Sequence, residues 1–316
     1  MTVTTFPAYE RHRGTVMAVT AYLIWGFAAL YWIRAEPVGA TDIVAHRAVW
    51  SLPFVVLCLA LVGGGRLLGA LSLLRQPRTV AIMLCATVLS ATNWGIFLWA
   101  VTNERATEAS IGYFMLPLVN VVIGITFFRE TVDAAQLIAI AFAAVAVVLQ
   151  IIAKGGVPAV ALGVAVSFGL SGAIRKGVAV ESMEGLMLDT LFMSPFAIAW
   201  LVYRDGAGLG QHGPGVDLVL LGAGAFTAIP LLCYVAASRL LPLTALGLVF
   251  YIGPTAQLFV AVVIFGESFS LVQLVAFALV WIGLFLMTAD NLRRGRALRR
   301  LSAAPSSTDS WRNNEA

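Results

Sequence analysis

Apolar residues in this chain gather in runs of 18 to 24, separated by charged, Gly-rich or Pro-rich punctuation. A helix that crosses a bilayer needs about 20 consecutive apolar residues. The pattern therefore predicts ten spans, near 14–33, 41–62, 79–101, 106–127, 132–152, 158–175, 183–203, 217–237, 241–264 and 270–290. The expected fold is an all-α integral membrane protein. The first 13 residues are polar, and span one lacks a small-residue cleavage site, so it reads as a retained helix rather than a signal peptide.

Composition removes the soluble alternative. The chain is 60% hydrophobic and 11% charged, with a mean hydropathy of +0.92, where an ordinary globular domain carries about 25% charged residues. Cytoplasmic loops hold an excess of Lys and Arg. With the N-terminus inside, 15 of the 20 basic residues fall inside and four (Arg34, Arg105, Lys154, Arg204) outside, which makes both termini cytoplasmic. Arg47, within span two, is left over. The net charge of +4 comes mainly from NLRRGRALRR (291–300), a cluster suited to anionic lipid headgroups and no argument for nucleic acid. Beyond it, SAAPSSTDSWRNNEA has the composition of a disordered end, so 291–316 reads as a basic disordered tail. Cys58, Cys85 and Cys233 lie in spans without CxxC spacing and read as small packing residues.

The chain also matches itself. At an offset of 137, Pro117 falls on Pro254, Phe128 on Phe265, Glu130 on Glu267, Gln136 on Gln273 and Leu137 on Leu274. The units, 14–153 and 154–290, hold five spans each, and an odd number means that the second enters the membrane from the opposite side. Inverted repeats of this kind are a recurring secondary-transporter architecture, with the site near the midplane at Pro- or Gly-interrupted helices. Spans four and nine, hinged at Pro117 and Pro254, qualify. Asp133 with Gln136, and Ser270 with Gln273, fit helix-starting capping boxes. Glu130 and Glu267, just before these caps at opposite faces, either close the loop electrostatically or gate.

AYLIWGFAALYW, AHRAVWS, TNWGIFLWAV, EASIGYFMLPLVN and FYIGPT…FGE together resemble the RarD branch of the EamA-type transporters, in the drug/metabolite transporter superfamily. The resemblance runs through all ten spans. It implies two inverted five-helix repeats around a central cavity. Members are commonly labelled chloramphenicol-resistance permeases, and relatives in the superfamily export amino acids and other small metabolites. Two positions depart from the branch: Leu116 stands where Asn is usual, and Phe250 where Gln is usual. Both changes make the expected cavity more apolar.

Arg47 costs about 2.5–3.5 kcal/mol at the centre of a span and less toward its ends. Either its stem snorkels to the headgroups, or it faces the cavity and binds a carboxylate with its planar fork. His46 and Asp42 beside it favour the cavity. His46 is a pH-sensitive group or a hydrogen-bonded interface residue, and Trp50 follows one turn on. Glu108 is a candidate partner for Arg47, as neutraliser or external gate. Asn93, Trp94 and Asn120 lie deep in apolar sequence, and Asn120 maps onto Gln257. They line the cavity or join helices. Tyr113 and Tyr251 flank the prolines as aromatic walls. Tyr31, Trp32 and Trp200 read as interfacial belt residues. Asp189 is a candidate for proton coupling, or one member of a wet face with Glu181 and Glu184.

Two rivals remain. Gly169-Leu-Ser171-Gly172 matches the GxSG of rhomboid-like intramembrane proteases, but Gly163, Ser167 and Ser171 also have the spacing of close helix packing. A passive facilitator or channel would carry the same motifs. No HExxH, ATP site or phosphate-binding loop is visible, GAGLGQHGPG (206–215) reads as an outer loop, and no cofactor is called for. The sequence reads as a gradient-driven carrier that moves small organic solutes outward across a bacterial inner membrane.

Overall fold

The computed structural model describes residues 8–303 except 63, 130–133, 155–156, 242–245 and 247–248. Its helices are α1 (Ala8–Gly26), α2 (Ala28–Trp32), α3 (Ala40–Val62), α4 (Gly64–Leu73), α5 (Pro77–Thr102), α6 (Ala106–Phe128), α7 (Ala134–Lys154), α8 (Ala159–Arg175), α9 (Ser182–Tyr203), α10 (Pro214–Ser238), α11 (Ile252–Phe259) and α12 (Leu271–Ala303). A 3₁₀ turn at Ile33–Ala35 extends α2, and a π turn at Val260–Ile264 extends α11. No strand occurs among the described residues. In lipid every backbone polar group must be satisfied internally, which favours this all-helical solution. By length and composition α3, α5, α6, α9, α10 and the first part of α12 each suffice to cross a membrane. The bent pair α1–α2 adds a seventh, and the shorter apolar helices α7, α8 and α11 with its π turn complete ten.

Span one is broken. Its two parts meet at 46° between Gly26 and Ala28. Gly26 packs against α11 so closely that a Cβ would lie 2.5 Å from that of Ala256 and 3.0 Å from the Gly253 carbonyl. The break turns Tyr31 and Trp32 inward, which corrects their expected place in an interfacial belt. Tyr31 stacks on Phe226 at 4.0 Å and donates to the Val219 carbonyl at 2.6 Å. Trp32 is 2% exposed. Trp200, at 38%, stays at the edge.

The packing repeats with the sequence. Span three (α5) packs on span six (α8), and span eight (α10) on span one (α1). Span four (α6) packs on span six, and span nine (α11) on span one; α3 contacts α10 as α9 contacts α5. Each pair becomes the other when span numbers shift by five. The pairs α3–α9 and α7–α12 map onto themselves. The ten helices are thus two inverted five-helix repeats with a pseudo-twofold relation. Small residues set two of the close crossings. Gly224 on α10 lies directly against the Trp50 carbonyl of α3. On α8, the side of Gly163 faces Ile96, Ser167 meets Asn93 and Ser171 meets Ser90, so the small-residue stripe packs on α5.

Two details differ from expectation. Between spans two and three the chain forms α4, which packs on α3 and α9. The basic stretch after residue 290 is not disordered throughout, because α12 continues to Ala303. Leu, Arg and Ala, all good helix formers, dominate it. The capping box at Ser270 and Gln273 does form, with both reciprocal bonds present at 2.9 and 3.2 Å. Its counterpart at Asp133, and Glu130, lie outside the described residues.

Candidate functional site

Arg47 lies seven residues into α3, about 10 Å along it. Its side chain turns into the bundle rather than along the lipid-facing surface. The guanidinium carbon sits 3.8 Å from the centroid of Trp94 on α5 and 5.6 Å from that of Trp32. Nε donates to Thr227 Oγ1 on α10 at 3.1 Å. A desolvated cation over indole is worth about 2 kcal/mol. The two terminal nitrogens have no hydrogen-bond partner among the described residues, and no ion pair there involves Arg47. The arrangement is a planar cation held on one face and one edge, with its fork unfilled.

The expected pairing of Arg47 with Glu108 does not form. Arg105 clamps Glu108 instead, with contacts of 3.0 and 2.8 Å to its two oxygens. Above this, Glu267 crosses from the second repeat to cap the start of α6. The backbone N–H groups of Ala106 and Thr107 donate to its two oxygens at 2.7 and 2.8 Å. A carboxylate at a helix N-terminus is favoured by the unpaired N–H groups and the helix dipole. Ser110 on α6 also donates to the Pro254 carbonyl, at 2.9 Å.

His46 and Trp50 belong to a second set of ties at this same end, where α3 begins. His46, 1% exposed, has Nε2 at 3.1 and 3.2 Å from the Gly206 and Ala207 carbonyls. Its Nδ1 accepts from the Trp50 indole at 3.3 Å. This geometry fits the neutral ring protonated at Nε2. Both nitrogens are thereby used within the protein, so His46 serves as a staple and offers no nitrogen to a solute. It pins a left-handed turn, Asp205 to Gly208, with φ of 51°, 81°, 44° and 94°. Asp42 accepts from Trp200 at 2.7 Å and meets Arg204 at 3.4 Å.

Asn93 is likewise engaged within the protein. It donates to the Val164 carbonyl at 3.0 Å and accepts from Tyr113 Oη at 3.1 Å. It joins α5, α6 and α8 and fixes the Tyr113 ring. Along α6, Tyr113, Pro117 and Asn120 follow at i, i+4 and i+7 as an accessible stripe in a mostly buried helix. Gln257 on α11 is buried and donates to the Trp25 carbonyl, just before the break in span one, at 3.2 Å. Its Oε1 has no partner among the described residues. Tyr22, Trp25, Tyr234, Phe250 and Tyr251 form an aromatic wall beside it, with centroids 5.5–6.2 Å apart. Phe250, one of the departures from the branch pattern, is part of that wall.

A second polar centre lies toward the end of the bundle where α1 begins. Arg175 reaches from the end of α8 to Asp189 on α9, with contacts of 2.8 and 2.7 Å to its two oxygens. Thr87 donates to the same carboxylate at 2.7 Å, and Ser90 bonds Arg175 at 3.1 Å. Asp189 is therefore a paired carboxylate and not part of a wet face, while Glu181 remains exposed and starts α9 in a capping box with Glu184. Ser171 belongs to this network through Ala86, Ser90 and Arg175, and His46 is occupied elsewhere. The serine–histidine pairing that a protease needs is not assembled.

Thr227 and Arg175 were not singled out by sequence, and Trp32 was read only as a belt residue. Thr227 is one uncharged hydroxyl among apolar residues. Arg175 looked like one more basic residue at a span end. The model of the EamA-like transporter family matches residues 12–152 and again 157–289. Protein RarD of Salmonella typhi is 37% identical over 288 residues, covering 90% of this chain and 97% of that protein. The chloramphenicol-sensitive protein RarD of Pseudomonas aeruginosa is 30% identical over 284 residues, covering 89% and 95%. A solved crystal structure of a protein aligns with a TM-score of 0.56 at 18% identity, covering 87% of this chain and 97% of its own. The likeness to that structure concerns the fold.

Proposed function

This chain belongs to the EamA-like transporter family, and from that premise we propose that it carries small carboxylate-bearing solutes, amino-acid-like metabolites among them, in a central cleft recognised by Arg47. The observation that carries the reading is the guanidinium held by Trp94 and Thr227 with its terminal nitrogens unpaired. Buried charges are ordinarily paired, and here Trp94 and Thr227 offset the cost of burial while leaving the fork open to an anion. A planar fork is the residue chemistry for a carboxylate. The unpartnered Oε1 of Gln257 supports a solute that also brings an N–H donor. Chloramphenicol is neutral and would leave the fork of Arg47 unpaired, so this reading ranks it below anionic solutes.

Transport then follows from alternating access between the inverted repeats in a bacterial inner membrane. The end carrying both termini is taken as cytoplasmic, and movement as outward. In this conformation the opposite end is held shut by Glu267 on α6, Asp42 on Trp200 and Arg204, and His46 on the 206–207 turn. Asp189 is the coupling candidate, because a proton there would compete with Arg175. A passive facilitator would use the same recognition residues without Asp189 coupling.

The test is uptake into proteoliposomes of a labelled panel of amino acids, short organic acids and chloramphenicol, with and without a pH gradient, for the native protein and Arg47→Gln. An anionic or zwitterionic solute that accumulates only with the gradient and only with Arg47 is the expected result. Accumulation that ignores the gradient would favour the facilitator. Equal flux in Arg47→Gln would overturn the assignment of the site.

A further inference from the structure

A cavity of about 330 Å³ opens at the end of the bundle where α1 begins, away from the Arg47 site. Arg13, Arg66 and Arg239 stand around it, and below them Met17, Cys58 and Met183 contribute to an apolar wall. Its size falls in the range that holds a small organic ligand. Glu181 bridges two of the arginines, at 3.3 Å from Arg66 and 3.1 Å from Arg239. Arg13 has no ion-pair partner among the described residues. Three cations facing one carboxylate leave a surplus of two positive charges over an apolar bowl. That combination is matched by an anionic head on an apolar body.

The cavity is also in register with the deeper site. Cys58 follows Arg47 by 11 residues on α3, which places it within about 20° of the same helix face and about 16 Å further along. We infer that this cavity is a second binding site, which takes the carboxylate or phosphate head of an amphiphilic anion between Arg13, Arg66 and Arg239 and its apolar part against the bowl. Glu181 is the internal competitor for the same arginines. Occupancy by an anion displaces it, and removing its charge strengthens the site. The inference does not depend on what Arg47 recognises.

Cys58 reports on the site directly. In Cys85→Ser/Cys233→Ser protein, Cys58 is the sole thiol, and phosphatidylcholine nanodiscs leave both faces open. Methanethiosulfonates bearing a sulfonate or a trimethylammonium group are compared, each normalised to its rate with glutathione. A mouth of one sign raises the local concentration of counter-ions by about tenfold or more, so the anionic reagent is expected to win by at least that factor. The advantage should shrink in high salt and in Arg13→Gln, and grow in Glu181→Gln, two variants of opposite sign at exposed positions. Octanoate and octyl phosphate should protect Cys58, and octyltrimethylammonium should not. Protection by these soluble anions assigns the site to a solute. Protection only in discs containing phosphatidylglycerol assigns it to a lipid headgroup, and both results support the anion site. Equal normalised rates, insensitivity to both variants, or equal protection by the cationic amphiphile would overturn it. Because no transport is measured, its failure would leave the Arg47 reading standing.

Discussion

Arg47→Gln should abolish recognition while leaving the protein as stable as before. Two terms favour the guanidinium in the empty protein. Stacking on Trp94 contributes about 2 kcal/mol, and a hydrogen bond from a charged donor to Thr227 about 2 kcal/mol. Against them stands desolvation, which after relaxation still costs several kcal/mol per ion. The balance lies within about 2 kcal/mol of zero, and a glutamine retains a donor for Thr227. The midpoint of thermal unfolding is therefore expected to move by less than about 5 °C in either direction. A bound carboxylate, however, loses its charge-assisted fork, which costs about 2–4 kcal/mol, or about 30- to 1,000-fold in affinity. Arg47→Lys keeps the charge without the fork and should fall between. Thermal unfolding of the purified protein and initial uptake of carboxylates in proteoliposomes measure the two halves. A large fall in the unfolding midpoint accompanying lost uptake would make Arg47 a packing residue and refute the reasoning, as would unchanged uptake.

Asp189→Asn leaves the 26%-exposed guanidinium of Arg175 facing a neutral amide, and breaking one side of a buried pair costs about 3 kcal/mol. Asp189→Asn/Arg175→Gln should recover most of that in thermal unfolding; purely additive losses would mean the pair is not coupled. Glu267→Gln weakens the cap on Ala106 and Thr107 by about 1 kcal/mol, so a cysteine replacing Ser110 should react about fivefold faster with a thiol reagent applied from the side where α3 begins. An unchanged rate there would remove Glu267 from closure of that end. Gly224→Ala forces a methyl into the Trp50 carbonyl and should cost about 2–3 kcal/mol by separating α3 from α10, read as a lower unfolding midpoint.

The spans were legible because the length of an apolar run is a direct statement about bilayer thickness, and the inverted repeat because Pro, Glu and Gln recur at one offset. Arg47 stood out for its cost in lipid. What sequence does not carry is which way a helix turns after a break. Nothing in GFAALYW marks the 46° bend that follows Gly26, so Trp32 looked like a belt residue and is in fact beside Arg47. His46 looked open to a ligand because its two acceptor carbonyls lie about 160 residues away, in a turn whose left-handed backbone no simple motif announces. Arg175 looked like an orientation charge, since only the fold shows that its long stem reaches Asp189. The continuation of α12 to Ala303 was hidden by the charge of the segment, which drew attention away from its helix-forming composition.

The two repeats share their contacts down to single residues. Gln257 on α11 bonds the Trp25 carbonyl of α1. Its counterpart Asn120 on α6 lies beside Gly169 of α8, where the hypothetical Cβ of that glycine would be 3.2 Å from its Oδ1. The family matches begin at residues 12 and 157, which sets Trp25 opposite residue 170, next to Gly169, so the two amides sit at equivalent crossings, α11 on α1 and α6 on α8. The α3–α9 contact maps onto itself under the same operation, and Arg47 is on α3, so it lies on an element of the contact that the two repeats share.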